Sequence, residues 1–256
     1  MKRKLIAALA CRASGSRLYG KPLQNLEGGR TILGHILECI EEVAEIAEPV
    51  LGISEGTENL PFVEIAQAHG VAHIVGDQKD VLWRLIMCAR EADATDVFRI
   101  TTECPFTAWE LVEETWNRHA EHGNDITVAE YMPEGVNFEI FTLESLERAH
   151  REGRDDERSE FCSAYPRRVP EQFKIEVVQP PPALRRPGLR LTVDYPEDLV
   201  LCRRVWEDLR DRGPRIPIGE IIEWLDGHPQ VASLVETFVD PTPIWGHVVD
   251  AQTASQ

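Results

Sequence analysis

The residues best suited to chemistry lie in one short loop near the start of the chain. An apolar run, Leu5 to Leu9, leads into residues 11–23, which read Cys-Arg-Ala-Ser-Gly-Ser-Arg-Leu-Tyr-Gly-Lys-Pro-Leu. Glycine lets backbone approach a ligand closely, backbone N–H groups form a nest for an anion, and Arg12, Arg17 and Lys21 supply positive charge. A buried strand followed by such a loop predicts a phosphate site. The alternative is a surface loop that carries three solvated cations.

Two common phosphate loops do not account for this one. Residues 15–21 have the G-x-x-x-x-G-K spacing of a Walker A loop, which requires a magnesium-binding hydroxyl at the next position. That position holds Pro22, which has neither a hydroxyl nor an N–H, and the bulky Leu18 and Tyr19 stand where the loop must wrap tightly. The dinucleotide-binding pattern G-x-G-x-x-G is absent. We therefore reject both interpretations.

Apolar periodicity predicts alternating strands and helices after this loop. The predicted helices cover residues 31–48, 59–69, 80–92, 109–122, 143–152, 196–210 and 218–227. The predicted strands cover residues 5–9, 50–54, 71–75, 96–101, 125–129, 137–141, 173–178 and 189–193. This order is typical of a three-layer α/β fold, a mostly parallel sheet covered on both faces, whose ligands bind at the carboxyl ends of the strands. We expect the tail from Val239 onward to run over the surface.

Composition narrows the class of partner. The chain has 256 residues and a formal net charge of −17, which argues against a nucleic-acid partner. No apolar run reaches the length of about 18 residues that a membrane span needs, and the apolar stretch after Met1 is too short for a signal peptide, so we expect a cytoplasmic protein with no membrane partner. Six cysteines without a C-x-x-C pair predict reduced, buried thiols rather than a zinc site. We expect His69, His119 and His122 to face solvent.

Several segments resemble those of a known enzyme family. Residues 12–23 are similar to the opening signature R-x-x-S-x-R-L-x-G-K-P-L of the sugar cytidylyltransferases, with Gly15 at its serine position. This family includes the acylneuraminate and 3-deoxy-manno-octulosonate cytidylyltransferases and, with the strongest likeness, the spore-coat-polysaccharide type. Four further segments resemble family motifs. Residues 76–84 resemble G-x-x-x-D-V-L-D-R, and residues 99–105 resemble R-I-T-G-D-C-P. Residues 135–141 resemble G-L-D-V-E-V-F, and residues 190–199 resemble R-L-T-V-D-T-P-E-D-L. Trp83 and Asn137 replace acids, Thr102 replaces glycine and Glu103 replaces aspartate.

The resemblance implies roles for individual residues. The catalytic residues would be Arg12, Lys21, Glu103 and Asp194, and the last two would hold Mg²⁺. The nucleotide would contact Leu9, Ala10, Cys11, Arg12, Ala13, Ser14, Gly15, Ser16, Arg17, Lys21, Asp77, Asp80, Arg84, Arg99, Thr101 and Thr102. Two alternatives stay open: Asp194 could cap the following helix, since Asp-x-Pro-Glu is a good helix start, and Glu103 could be a solvated loop acid.

The resemblance also implies an activity and an organisation. The chain would have the Rossmann-like fold of the nucleotide-diphospho-sugar transferases, with a nucleotide-binding domain over residues 1–212, an acceptor-binding and dimerisation insert at about 125–175, and a small helical extension over 213–256. It would transfer CMP from CTP to an acidic sugar or a phosphorylated or phosphonate small molecule, release pyrophosphate, depend on Mg²⁺, serve polysaccharide biosynthesis and form a homodimer. The alternatives are a pyrophosphorylase that uses UTP or GTP, and a nucleotide-binding homologue without catalytic activity.

Overall fold

The computed structural model describes residues 3–159, 161–246 and 248. Its strands are β1 (Leu5–Cys11), β2 (Asn25–Glu27), β3 (Arg30–Thr31), β4 (Ile46–Ser54), β5 (Ala72–Gly76), β6 (Asp96–Arg99), β7 (Ile126–Ala129), β8 (Phe138–Thr142) and β9 (Ile175–Val178). Seven of them form one sheet in the order β5-β4-β1-β6-β8-β7-β9, and β2 pairs with β3. Within the sheet β8 is antiparallel to β6 and β7, and the other pairs are parallel. The carboxyl ends of β1, β4, β5 and β6 therefore lie at one edge.

Helices cover both faces of this sheet. They are α1 (Ile32–Glu41), α2 (Leu60–His69), α3 (Val81–Glu91), α4 (Val112–His122), α5 (Leu143–Glu152), α6 (Ala164–Arg168), α7 (Pro196–Leu209), α8 (Ile218–Gly227) and α9 (Pro229–Ala232). Alternate side chains of β1 point to opposite faces, as in any strand. Leu5 and Leu9 pack in one core with α1, α7 and α8, whereas Ile6 and Ala8 pack in another with α3 and α5. The predicted three-layer, mostly parallel α/β fold is confirmed.

The predicted helix over residues 31–48 is too long at its C-terminal end. Helix α1 already ends at Glu41, and Pro49 lies inside β4. The register between β1 and β4 shifts just before the Ala7–Pro49 pair, and β5 pairs with β4 only from Val50 onward. Proline is tolerated at such a bulge, where the strand has one regular neighbour at most.

The predicted strand over residues 189–193 is also wrong. Around this segment the described residues form one isolated bridge, between Glu134 and Arg190, and no ladder. The alternation of apolar residues in the segment arises because Leu191 and Val193 are both fully buried, while it runs as an extended connection into α7. Arg190 and Thr192, between the apolar residues, are also buried, at 4% and 6% exposed, so the alternation of residue types does not distinguish a strand from an extended connection here.

Burial corrects two further expectations. Trp245, in the tail expected at the surface, is 1% exposed, and Val248 is 2% exposed. His119, expected to face solvent, is fully buried and hydrogen-bonded to Asp96 and Thr127.

All six cysteines are free and buried, as predicted. Among the described residues no helix is both long and apolar enough to cross a membrane.

Candidate active site

The basic loop after β1 is a closed turn tied to the rest of the edge. The backbone N–H of Gly20 donates to the carbonyl of Ala13 at 2.8 Å, and the N–H of Ala13 donates to Oδ1 of Asn59 at 2.8 Å. Gly15 is required here, because a Cβ at this position would lie 2.5 Å from the carbonyl oxygen of Leu18. Asn59 precedes α2 and so holds the loop against the end of β4, while Arg12, Gly15, Ser16 and Arg17 remain exposed to solvent.

Lys21 lies between the two carboxylates that the motifs singled out. Its Nζ is 2.6 Å from Oδ1 of Asp194 and 3.9 Å from Oε1 of Glu103. Arg17 lies 3.2 Å from the same Oδ1, and Arg190 donates to Oδ2 of Asp194 at 2.8 Å. The structure therefore brings together both predicted metal ligands and two of the three predicted phosphate-binding cations.

Tertiary contacts place Asp194 at this point. The N–H of Leu191 donates to the carbonyl of Glu134 at 2.7 Å, and the N–H of Val193 donates to the carbonyl of Glu103 at 3.1 Å. Gly135 permits the close approach, since its φ is +95° and a Cβ there would lie 2.5 Å from the backbone nitrogen of Thr192. The segment before Asp194 is thus held on one side by the β7–β8 connection and on the other by the loop after β6.

The helix-capping alternative for Asp194 is wrong, because Asp198 performs that role. Oδ2 of Asp198, in the first turn of α7, accepts hydrogen bonds from the backbone N–H groups of Asp194 and Tyr195, at 2.8 and 2.9 Å, and so ties the residues that precede the helix to its start. Asp198 also pairs with Arg190 at 2.8 Å. The carboxylate of Asp194 is left to interact with the cations of the site.

Burial and charge act differently on the two carboxylates. Burial raises the pKa of Glu103, and the nearby Lys21 only partly opposes this. Burial also acts to raise the pKa of Asp194, but the hydrogen bond from Lys21 and the charges of Arg17 and Arg190 outweigh it and lower that pKa. Neighbouring cations therefore neutralise the negative charge of Glu103 less completely than that of Asp194. An additional cation beside Glu103 would stabilise its ionised form.

The donor set fits a magnesium ion that is shared with a bound ligand. Glu103 and Asp194 offer carboxylate oxygens, which Mg²⁺ prefers, and the ammonium of Lys21 already lies between them as a positive charge. No group of three or more candidate ligands occurs in the part of the chain that the structure describes. A magnesium ion here would complete its coordination with phosphate oxygens and water, as is usual in phosphoryl-transfer sites.

Two residues predicted to contact the nucleotide, Arg84 and Asp80, also hold parts of the fold together. Arg84 is 1% exposed, and its guanidinium donates to the carbonyls of Cys11 and Gly52 at 3.1 and 2.6 Å, so it joins the ends of β1 and β4. Asp80 caps α3 through the N–H of Trp83, as predicted, and its other oxygen is 2.8 Å from Nε2 of His150.

The remaining predicted contacts differ in how accessible they are. The side chains of Leu9, Cys11 and Ala13 are buried, so these residues can offer a ligand only their backbone. Ala10 and Ser14 are partly exposed at either side of the start of the loop, and Asp77 is exposed and accepts hydrogen bonds from the N–H groups of the next turn.

The loop after β6 is fixed by its own polar side chains. Arg99 donates to Oε2 of Glu139 at 3.0 Å, and Thr101 Oγ1 lies 2.9 Å from the sulfur of Cys104. Thr102, which stands where the family has glycine, is 2% exposed and donates to the carbonyl of Ala10 at 3.1 Å. The threonine thus anchors the loop that carries Glu103 to the end of β1.

Sequence reasoning missed several residues at this edge. A cavity of about 320 Å³ lies beside the basic loop and is lined by Ile53, Ser54, Gly56, Thr57, Asn59, Leu60, Val63 and Val75. Arg190 and Tyr195 lie in the motif over residues 190–199 but are not among the predicted site residues. Helical or strand periodicity carries no signal for them, because their role depends on contacts with the loop before Lys21.

The chain is similar to known proteins along most of its length, although no family model matches it. The uncharacterized protein MJ1063 of Methanocaldococcus jannaschii is 28% identical over 233 residues, 90% of this chain and 94% of that protein. The spore coat polysaccharide biosynthesis protein SpsF of Bacillus subtilis is 24% identical over 234 residues, 90% of this chain and 97% of SpsF.

Solved structures show the same fold. A cytidylyltransferase from Leptospira borgpetersenii superposes with a TM-score of 0.83 at 22% identity, covering 90% of this chain and 97% of that one. A CMP-2-keto-3-deoxy-manno-octonic acid synthetase complexed with CTP superposes with a TM-score of 0.61 at 14% identity, covering 80% and 99%. The resemblance predicted from the motifs is confirmed: this chain is a homologue of SpsF and has the α/β fold of the cytidylyltransferases.

Proposed function

We propose that this protein is a cytidylyltransferase that transfers CMP from CTP to an acidic sugar or to a phosphorylated or phosphonate small molecule, and releases pyrophosphate. The observation that carries the proposal is the position of Lys21, between the carboxylates of Glu103 and Asp194 and next to the basic glycine loop. The similarity to SpsF, a spore coat polysaccharide biosynthesis protein, supports a role in polysaccharide biosynthesis. The fold shared with a synthetase complexed with CTP supports the nucleotide.

The chain's own residues would bind and orient the triphosphate. The loop amides with Arg12, Arg17 and Lys21 would hold its oxygens and stabilise the charge that develops as pyrophosphate departs. Lys21 and Arg17 must then exchange the carboxylate of Asp194 for phosphate oxygens. Asp194 and Glu103 would hold Mg²⁺, which neutralises phosphate charge when it is bound. The attacking oxygen belongs to the acceptor, so no nucleophile from the protein is needed.

The cavity beside the loop is suited to the base. Its walls at Ile53, Val63 and Val75 are apolar, and Ser54 and Asn59 add a few polar groups, which is the usual composition of a small-molecule site. It adjoins the loop through Asn59, which binds the N–H of Ala13. A base placed here would lie beside the basic loop that carries Lys21.

Turnover with each of the four nucleoside triphosphates tests the proposal. The protein would be incubated with Mg²⁺, one triphosphate and a panel of sugar acids, sugar phosphates and phosphonates, and pyrophosphate release and product mass would be measured. We expect release with CTP and a CMP- or CDP-linked product, and none from a Lys21→Ala variant. Release with UTP or GTP alone would show that the base is assigned wrongly. Nucleotide binding without release for any acceptor would indicate a non-catalytic homologue.

We also propose that the protein forms a homodimer, as the resemblance implies. The segment over residues 125–175 carries the strands β7 and β8 beside charged connections, and β9 continues the sheet at its edge. A strand at the edge of a sheet can pair with a strand of a second copy.

A further inference from the structure

The C-terminal part of the chain reaches the candidate site through one aromatic side chain. The ring of Phe238 stacks on that of Tyr195, with centroids 4.0 Å apart and an angle of 9° between the planes. The guanidinium of Arg17 lies 5.0 Å from the centroid of the Tyr195 ring, and its Nη1 donates to the Tyr195 hydroxyl at 3.4 Å. The carbonyl of Phe238 also lies 3.5 Å from Nη1 of Arg190. Phe238 thus contacts one cation beside Asp194, Arg190, through its carbonyl, and a second, Arg17, through the ring of Tyr195.

The segment that carries Phe238 is anchored on both sides. Before it, Val235 is 2% exposed and packs in the core that contains α8, and its carbonyl accepts from the N–H of Phe238 at 2.9 Å. After it, the N–H of Trp245 donates to Glu130, and the indole Nε1 donates to Glu139 at 2.9 Å. The phenyl ring is therefore presented to Tyr195 by a fixed piece of backbone.

We infer that Phe238 is a positioning residue for the phosphate-binding loop, acting on Arg17 through Tyr195. This inference rests on the proposed function, since it assigns Arg17 to a polyphosphate. The side chain of Arg17 is 46% exposed, and a long exposed side chain loses rotamer freedom when it binds a ligand. A guanidinium that an aromatic ring already holds loses less of that freedom, and so binds phosphate more tightly. Phe238 keeps the Tyr195 ring in the orientation that does this.

Binding of tripolyphosphate without Mg²⁺ isolates this effect from the choice of base and acceptor. The variants are Phe238→Leu, which keeps apolar bulk but removes the stack, and Phe238→Tyr, which restores it. Trp224→Leu is the matched control, because Trp224 forms a comparable stacked pair with His228, at 4.1 Å and 18°, away from the loop. Calorimetry gives the Kd for tripolyphosphate and for CTP, and thermal unfolding gives the stability of each variant.

We expect Phe238→Leu to raise both Kd values about three- to tenfold, the range that loss of one aromatic pair allows. Phe238→Tyr and Trp224→Leu should bind as the wild type does, even where Trp224→Leu lowers the melting temperature. Unchanged binding by Phe238→Leu would overturn the inference, and so would an equal loss in Trp224→Leu, which would show a general effect of destabilisation. Wild-type protein that binds no tripolyphosphate would also overturn it. Tripolyphosphate binding without CTP turnover would instead refute the proposed function and leave the inference standing.

Discussion

Replacing Asp194 by asparagine separates two roles of its carboxylate: pairing with the cations of the site and binding magnesium. In the structure its oxygens lie 2.6 Å from Lys21, 3.2 Å from Arg17 and 2.8 Å from Arg190. Asparagine keeps the shape and one acceptor oxygen, but it removes the charge that all three cations share. The substitution should therefore weaken the fold slightly, release the cations for phosphate and remove a ligand that magnesium needs.

The loss of stability should be modest. A hydrogen bond to a charged group contributes about 1.5–3 kcal/mol, and a stranded buried charge costs more, about 3–5 kcal/mol. Here the substitution leaves neither Arg190 nor Lys21 without an ion-pair partner. Arg190 remains paired with Asp198 and Glu134, and Lys21 remains close to Glu103. We expect a decrease of about 1–2 kcal/mol in the free energy of unfolding, which lowers the melting temperature by roughly 2–8 °C in a protein of this size.

The difference in the free energy of unfolding between the wild type and Asp194→Asn should decrease as the pH falls. The pKa of Asp194 is lowered in the folded protein, so its contribution is fully present above its unfolded value and disappears as the pH falls through the folded value. The wild type and the Asp194→Asn variant should differ most near pH 6–7 and converge in strong acid.

Ligand binding and turnover should change in opposite directions. Without Mg²⁺, CTP should bind more tightly to Asp194→Asn, because Lys21 and Arg17 no longer interact with a carboxylate. With Mg²⁺, turnover should fall about a hundredfold or more, as for loss of other groups that stabilise transition-state charge. Calorimetry and pyrophosphate release measure the two effects, with Asp226→Asn as the control, since Asp226 pairs with Arg186 at an exposed surface position. Wild-type turnover in Asp194→Asn, or weaker binding without metal, would refute the reasoning.

Four further outcomes are expected. Lys21→Ala should weaken CTP binding by about 1.5–3 kcal/mol, and a Kd within twofold of wild type would contradict the phosphate role. Glu103→Gln should raise the melting temperature at pH 7, because burial raises the pKa of Glu103 and its charged form therefore destabilises the fold. This gain in stability should vanish below about pH 4, where the carboxyl of the wild type is protonated. Thermal unfolding at a series of pH values measures it. Gly135→Ala should reduce stability and turnover more than Gly123→Ala does, since both have positive φ but only at Gly135 would a Cβ meet backbone, 2.5 Å from the nitrogen of Thr192. Light scattering at micromolar concentration should give the mass of a dimer, and the mass of a monomer would contradict the proposed homodimer.

The order of the elements and the position of the basic loop can be predicted from the amino-acid sequence. Apolar periodicity and helix boundaries are local properties, so they located α5 and α8 at the bounds found in the structure and placed the cap of α3 at Asp80. The glycines and cations of residues 11–23 identified the loop, because their spacing is itself local. The motifs also singled out Glu103 and Asp194 as partners, and the structure joins both to Lys21.

The way in which these residues are held depends on contacts between segments that are far apart in the sequence. Asp194 reaches Lys21 through hydrogen bonds from its preceding segment to the carbonyls of Glu134 and Glu103, and not at the end of a strand. The helix cap belongs to Asp198, four residues away, and Phe238 joins the site from the C-terminal extension, in which no site residue was predicted. Each of these depends on which distant backbone and side-chain groups are brought within hydrogen-bonding or van der Waals distance, and local periodicity contains no information about that.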